Sequence, residues 1–123
     1  MNRRVQVVED DEDIRYVVAY LLEDAGCTVE TFENAKAFQN RSEKHQIDLI
    51  ILDVRLPDGN GIDISKDLKN DTHTSDIPVI IMSAHAQGDV ALKQGKANAF
   101  IQKPFDLDFF VSRVSDVIGQ QVK

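Results

Sequence analysis

Apolar side chains fall along the chain in short blocks of two kinds, and the two kinds alternate. Val5-Gln6-Val7-Val8, Thr28 to Phe32, Ile47 to Leu52, Pro78 to Met82 and Ala99-Phe100-Ile101 are brief, mostly β-branched or aromatic, and bounded by polar residues, a pattern that predicts five strands. Between them the spacing widens to that of a helix. Ile14, Val17, Val18, Leu21, Leu22 and Ala25 recur on one helical face, with Gly26 placed to end it. Asn34 caps a second helix expected to run to about Lys44, and Ile62, Ile64 and Leu68 mark a weaker third. Leu107, Phe110, Val111, Val114, Val117 and Ile118 form the stripe of a last helix with Asp106 as its N-cap. The fourth interval breaks the rule. From Ala86 to Gly95 only Val90 and Leu92 are sizeable apolar residues, and Gly88 and Gly95 each disfavour helix by ~1 kcal/mol. One turn of helix or less is therefore expected between Ala86 and Lys96.

Strands alternating with helices five times over imply a parallel sheet with right-handed crossovers and helices on both faces. The runs from Ile47 to Leu52 and from Pro78 to Met82 are almost continuously apolar, as expected of strands covered on both sides. At 123 residues, with no linker, repeat or low-complexity segment, residues 1–123 read as one domain with one core. The balance of 14 basic against 21 acidic residues gives a net charge of −7. That argues against nucleic acid or an anionic membrane held by bulk electrostatics and favours a cation or a basic protein partner. Cys27 is the one cysteine, so an intrachain disulfide or a cysteine metal cluster is excluded and a reducing, cytoplasmic setting is expected. No apolar stretch approaches the roughly 18 residues of a membrane span, and none has the form of a signal-peptide core.

Candidate chemistry concentrates where these strands end. Asp53 closes the central strand, Glu9 and Asp10 follow the first, Ser83 follows the fourth and Lys103 the fifth. The C-terminal ends of the strands are where an open α/β sheet binds its ligands. Two adjacent carboxylates at a strand tip suit Mg²⁺, a hard cation that takes few protein oxygens and keeps several waters. Taken alone, Glu9 and Asp10 read equally well as acids opposing a helix dipole, as Asp11, Glu12 and Asp13 do; Asp53 on a second strand tip turns the balance toward the cation. Near a cation and an ammonium, a carboxylate such as Asp53 can attack a phosphoryl group, while Asp58 in the following loop reads as a turn cap. Lys103 can pair with a transferring phosphoryl and Ser83 can donate a hydrogen bond to it. His45 and His73 lie in polar segments, and of the three histidines His85 alone is close to this set in sequence.

Val7-Val8-Glu9-Asp10-Asp11, Leu52-Asp53-Val54-Arg55-Leu56-Pro57-Asp58-Gly59, Met82-Ser83-Ala84 and Lys103-Pro104-Phe105, in this order across the whole chain, resemble the CheY-like receiver domains of two-component response regulators. The resemblance implies a flavodoxin-like α/β fold with five parallel strands in the order 2-1-3-4-5 and a cis Lys103-Pro104 bond, which proline makes inexpensive at ~0.5 to 1 kcal/mol. It implies a phosphoacceptor switch in which a histidine kinase or histidine phosphotransfer protein donates phosphoryl from phosphohistidine to Asp53, making an acyl phosphate. Asp10 would bind Mg²⁺ directly and Glu9 largely through water, with Asp53 and the backbone carbonyl of Arg55 completing the protein ligands. Lys103 would neutralise the phosphoryl, Ser83 would swing toward it, and Phe100, by periodicity an ordinary core aromatic, matches the aromatic switch position. A downstream protein would then read the face made of the fourth helix, fifth strand and fifth helix, without direct contact of this chain with nucleic acid or membrane.

Ser83 stands where threonine is more frequent, keeping the hydroxyl but losing the χ1 stiffness of a β-branched side chain. The interval from Ser83 to Lys103 is also shorter than usual for the family, the loss falling in the fourth helix, and Gly95-Lys96-Ala97 displaces the turn that leaves it. A haloacid-dehalogenase-like phosphoaspartate hydrolase uses a similar Asp, hydroxyl and Lys, but wants a second Asp where Arg55 stands. A receiver-like binding module that works without phosphate would be expected to lack part of the set. A flavin carrier would need backbone and hydroxyl donors where Glu9 and Asp10 lie.

Overall fold

The computed structural model describes residues 2–42, 45–84 and 88–119. Five parallel strands, β1 (Arg4–Val8), β2 (Thr28–Phe32), β3 (Leu49–Asp53), β6 (Val79–Ser83) and β7 (Ala99–Gln102), form one sheet in the order β2-β1-β3-β6-β7. Two short strands, β4 (Arg55–Leu56) and β5 (Gly59–Asn60), make a small antiparallel hairpin after β3. Leaving that hairpin aside, the order is the expected 2-1-3-4-5, and the fold is flavodoxin-like.

Alternation along the strands sorts the core into two layers. Val5, Val7, Leu49, Ile51, Ile80, Met82 and Ile101 face α1 (Glu12–Asp24) and α5 (Leu107–Gly119), whose Val18, Leu22, Phe110, Val114 and Val117 are buried against them. The alternate residues Val8, Ile50, Leu52, Val79 and Ile81 face α2 (Ala35–Gln39), α3 (Gly61–Asn70) and α4 (Gly88–Gln94). With helices on both faces, β3 and β6 have no exposed residue to be polar, which is why their sequences do not alternate. The expected caps are in place, Asn34 accepting from Ala37 N and Asp106 from Asp108 N, while Asp11, read as an acid opposing the helix dipole, caps α1 by accepting from Ile14 N. Gly26 leaves α1 at φ +95°. Leu107, counted on the buried stripe of the last helix, instead points outward and is half exposed.

Two helices differ from their sequence patterns. The second ends at Gln39 after five residues rather than near Lys44, a residue outside the described ones. The fourth, expected as one turn or less, has seven residues, about two turns; Ala86, Gln87 and His85 lie outside the described residues. The fourth helix remains shorter than α1, α3 and α5, but it reaches the sheet through small residues. Ala91 is fully buried, a Cβ on Gly88 would lie 3.3 Å from the Phe100 ring, and one on Gly95 would lie 2.8 Å from Ala91 O and 3.2 Å from Ile81 Cδ1. Ser65 Oγ donates to Gly95 O at 2.6 Å and ties α3 to the end of α4. Close approach thus replaces large side chains, and Lys96 takes the left-handed exit position at φ 55°.

Asp58, expected to cap amides of its own turn, caps a helix start across the fold instead. Its two carboxylate oxygens accept from Ala35 N at 2.7 Å and Lys36 N at 2.9 Å, the first turn of α2. These amide donors hold the Asp58 carboxyl below its ordinary pKa. A carboxyl depressed in the folded state stabilises above its unfolded pKa, and the contribution fades as pH falls through the folded value. Asp58→Asn is therefore expected to lower Tm by a few degrees at neutral pH, with the gap from wild type closing on acidification below about pH 4; paired thermal melts across pH check both parts.

Candidate functional site

Each strand brings one element of the predicted set to the same end of the sheet. Asp53 and Ser83 are the last residues of β3 and β6, Glu9 and Asp10 follow β1 directly, and Lys103 follows β7. Together with Asp11, Ile14, Arg55, Ala84 and Pro104 they line an open cleft of about 440 Å³. The Lys103-Pro104 bond is cis, as expected.

Inside the cleft, charge is packed closely. Carboxylate oxygens of Glu9, Asp10 and Asp53 all lie within 4.8 Å of one another. Glu9 is fully buried and Asp53 nearly so, whereas Asp10 is exposed. The Lys103 ammonium donates to Glu9 Oε1 and sits 3.2 Å from Asp53 Oδ2, and Glu9 Oε2 accepts from Asp11 N at 3.2 Å. Burial, reinforced by the neighbouring Asp53, pushes the Glu9 carboxyl above its usual range even against the attraction of Lys103. Asp10, although exposed, is raised too, first by the hydration it loses at the cleft mouth and then by the neighbouring Glu9 carboxylate. For Lys103 burial works against the ammonium, but Glu9 and Asp53 outweigh it and hold its pKa above that of an ordinary lysine. One ammonium against three carboxylates leaves negative charge uncompensated. Hard oxygen donors at this spacing, with one side open to solvent through Asp10, fit a small divalent cation that retains waters.

Ser83 is buried at the cleft wall, and its carbonyl accepts from Lys103 N at 2.8 Å. Arg55 reaches the rim. Phe100 does not line the cleft; it is half buried against the α2–α3–α4 layer, beside Gly88. Two residues with no distinctive motif also shape the site. Arg15, one turn into α1, donates to Glu9 O at 2.8 Å and Asp10 O at 3.4 Å, fixing the loop that presents both acids; a lone base set into an acidic run was the available signal. Gly61 lets the hairpin return onto the strand tip, with its N–H bonded to Val54 O at 2.9 Å. A Cβ there would stand 2.1 Å from Asp53 O.

Two expected outcomes test this arrangement. Lys103→Met strands a buried carboxylate and should cost about 3 kcal/mol in urea unfolding without metal, with Glu9→Gln in the same chain restoring part of it. Gly61→Ala must displace the backbone of Asp53 and should cost roughly 2 kcal/mol, with NMR shift changes centred on Asp53 and Val54.

Comparison with known proteins agrees with this geometry. The response regulator receiver domain family matches residues 5–115. PhoB, the phosphate regulon transcriptional regulatory protein of Escherichia coli, is 35% identical over 120 residues, covering 96% of this chain and 52% of PhoB. The polar-differentiation response regulator DivK of Brucella anthropi is 31% identical over 121 residues, covering 97% of this chain and 98% of DivK. Among solved structures, the non-phosphorylated HemR receiver domain of Leptospira biflexa superposes with a TM-score of 0.83 at 33% identity over 94% of each chain. The chain thus spans about half the length of PhoB. Motif order, strand order and these likenesses lead to one conclusion: the chain belongs to the response regulator receiver domain family and is a signalling domain of the two-component type.

Proposed function

We propose that residues 1–123 act as a single receiver domain that accepts phosphoryl on Asp53 from the phosphohistidine of a histidine kinase or histidine phosphotransfer protein. The observation that carries this reading is the Lys103 ammonium placed between Glu9 and Asp53 at the converging ends of the strands. Asp53 is the acceptor because it ends the central strand, is held on one oxygen by Lys103 and faces the open cleft. Its carboxylate attacks phosphorus, an O–P bond forms, the P–N bond breaks, and the imidazole nitrogen leaves with the electron pair. No separate enzyme is needed beyond the donor.

Asp10, Glu9, Asp53 and the carbonyl of Arg55 are the groups that would hold Mg²⁺, with Glu9 working through water because it is fully buried and engaged by Lys103. When bound, the cation supplies positive charge against the phosphoryl oxygens and the crowded carboxylates. Lys103 orients Asp53 beforehand and offers its ammonium to the incoming oxygens. Ser83, on the neighbouring strand end, donates its hydroxyl to the acyl phosphate, and Phe100 follows that movement from beneath α4. The altered surface of α4, β7 and α5, where Val90, Leu92 and Phe109 are exposed, is read by a downstream protein. A cytoplasmic location belongs to the same proposal. PhoB is named as a transcriptional regulator; for this acidic chain direct contact with nucleic acid is not part of the reading.

Incubation with acetyl phosphate and Mg²⁺, followed by intact mass measurement, should show the gain of one phosphoryl group, labile to acid and base. Asp53→Asn should show none while keeping its fold, and a persisting gain in that variant overturns the assignment. Asp10→Ala should weaken Mg²⁺ binding by roughly tenfold or more and, by removing a like charge, raise the melting temperature of the metal-free protein. Unchanged Mg²⁺ affinity would remove Asp10 from the ligand set.

A further inference from the structure

The turn from β1 into α1 presents the two adjacent acids of the cleft, and its backbone is held in an unusual way. Glu9 N donates to Phe32 O at 3.0 Å, and Asp11 O accepts from Arg15 N at 2.9 Å as α1 begins. The carbonyls of Glu9 and Asp10, by contrast, are bonded to no backbone amide among the described residues. One side-chain nitrogen serves both. Arg15 Nη1 donates to Glu9 O at 2.8 Å and to Asp10 O at 3.4 Å.

Those carbonyls belong to consecutive peptide planes, Glu9-Asp10 and Asp10-Asp11. In a planar trans peptide the C=O and the N–H point in opposite directions. A guanidinium that draws both carbonyls to its own side of the turn therefore aims the amides of Asp10 and Asp11 the other way. The carboxylates are what those amides meet. Asp11 N donates to Glu9 Oε2 at 3.2 Å, and while burial and Glu9 raise the Asp10 carboxyl, the amide of Asp10 itself acts in the opposite sense. The carbonyl oxygens, whose negative ends would crowd the acids, face away.

Arg15 is not one of the charges that neutralise the cleft. The ion pairs with Glu9 and Asp53 are made by Lys103, whereas the half-buried Arg15 is engaged by backbone oxygens.

We propose that Arg15 is a positioning residue for the divalent cation: by holding both peptide planes it keeps the carboxylates of Glu9 and Asp10 oriented for Mg²⁺, touching neither the cation nor the phosphoryl group. This rests on the reading of the cleft as a Mg²⁺ site and adds to it a residue outside the ligand set. Orientation and charge predict opposite effects of replacing Arg15. A positive charge beside a cation site opposes binding, so its removal alone would tighten Mg²⁺ binding. Loss of a group that orients the ligands weakens it.

The test is a Mg²⁺ titration followed by NMR at the Asp10 and Asp11 amides, comparing wild type with Arg15→Met and Arg15→Lys. Arg15→Met keeps the apolar stem and should weaken Mg²⁺ binding by about tenfold. Arg15→Lys keeps a donor within reach of the carbonyls and should recover most of that loss. At saturating Mg²⁺ the Arg15→Met protein should take phosphoryl from acetyl phosphate at the wild-type rate, with only the Mg²⁺ concentration for half-maximal rate raised. In the metal-free protein the same substitution should speed solvent exchange of the Asp11 amide by about tenfold. Mg²⁺ affinity of Arg15→Met equal to or tighter than wild type, Arg15→Lys no better than Arg15→Met, or unchanged exchange at Asp11 would each overturn the proposal. Wild-type protein that binds no Mg²⁺ would instead overturn the reading of the cleft, and the exchange at Asp11 then decides whether Arg15 orients the turn. If Arg15→Met fails to fold, Arg15→Gln, too short to span the turn, carries the same expectations.

Discussion

A single ammonium holds the functional end of this protein together. Among the described residues Lys103 is the cation lodged among Glu9, Asp10 and Asp53, and without it a fully buried Glu9 would face Asp53 with the Asp11 amide as its remaining described donor. Buried carboxylates this close repel and lose hydration together, a cost that attraction to one lysine offsets only in part. The raised pKa of Glu9 is the sign that the offset is incomplete. Such a site is stable enough to fold and still short of positive charge. That deficit is what makes it receptive to a divalent cation, and a phosphoryl group in turn needs both.

The scaffold is arranged so that this tension does not spread. β1, β3, β6 and β7 run parallel with their C-terminal ends together, so each contributes one or two polar side chains while its remaining residues are locked in an apolar layer. Backbone contacts then fix the loops: Arg15 holds the carbonyls of Glu9 and Asp10, Lys103 N is bonded to Ser83 O, and Gly61 allows the hairpin to press against Asp53. Asp58 links that hairpin to the start of α2. Rigid strands with fixed loops keep the reacting groups preorganised.

The C-terminal ends and the middle of the sheet contrast. At the C-terminal ends polar residues are gathered from several strands and paired. In the middle of β1 a polar residue, Gln6, is buried on the face that carries Val8, Ile50 and Leu52. A strand position buried on both sides ordinarily takes an apolar residue; the Gln6 amide there donates to Glu30 on the neighbouring strand.

The alternation of strands and helices, the caps at Asn34 and Asp106, and the strand-end location of Glu9, Asp10, Asp53, Ser83 and Lys103 were all legible from the sequence. Each depends on neighbours close in the chain or on a periodicity that burial imposes directly. The length of α4 was not legible, because counting large apolar residues misses a helix that packs through Gly88, Ala91 and Gly95. Nor was the early end of α2, whose start is capped by Asp58 from a distant loop. Neither Arg15 nor Gly61 carries a motif, since their roles are defined by backbone atoms that only folding brings near. Sequence determined which chemical groups stand at the strand ends; the tertiary structure alone decided how closely helices approach the sheet and which backbone atoms hold the charged groups, because those depend on packing distances between residues remote in the chain.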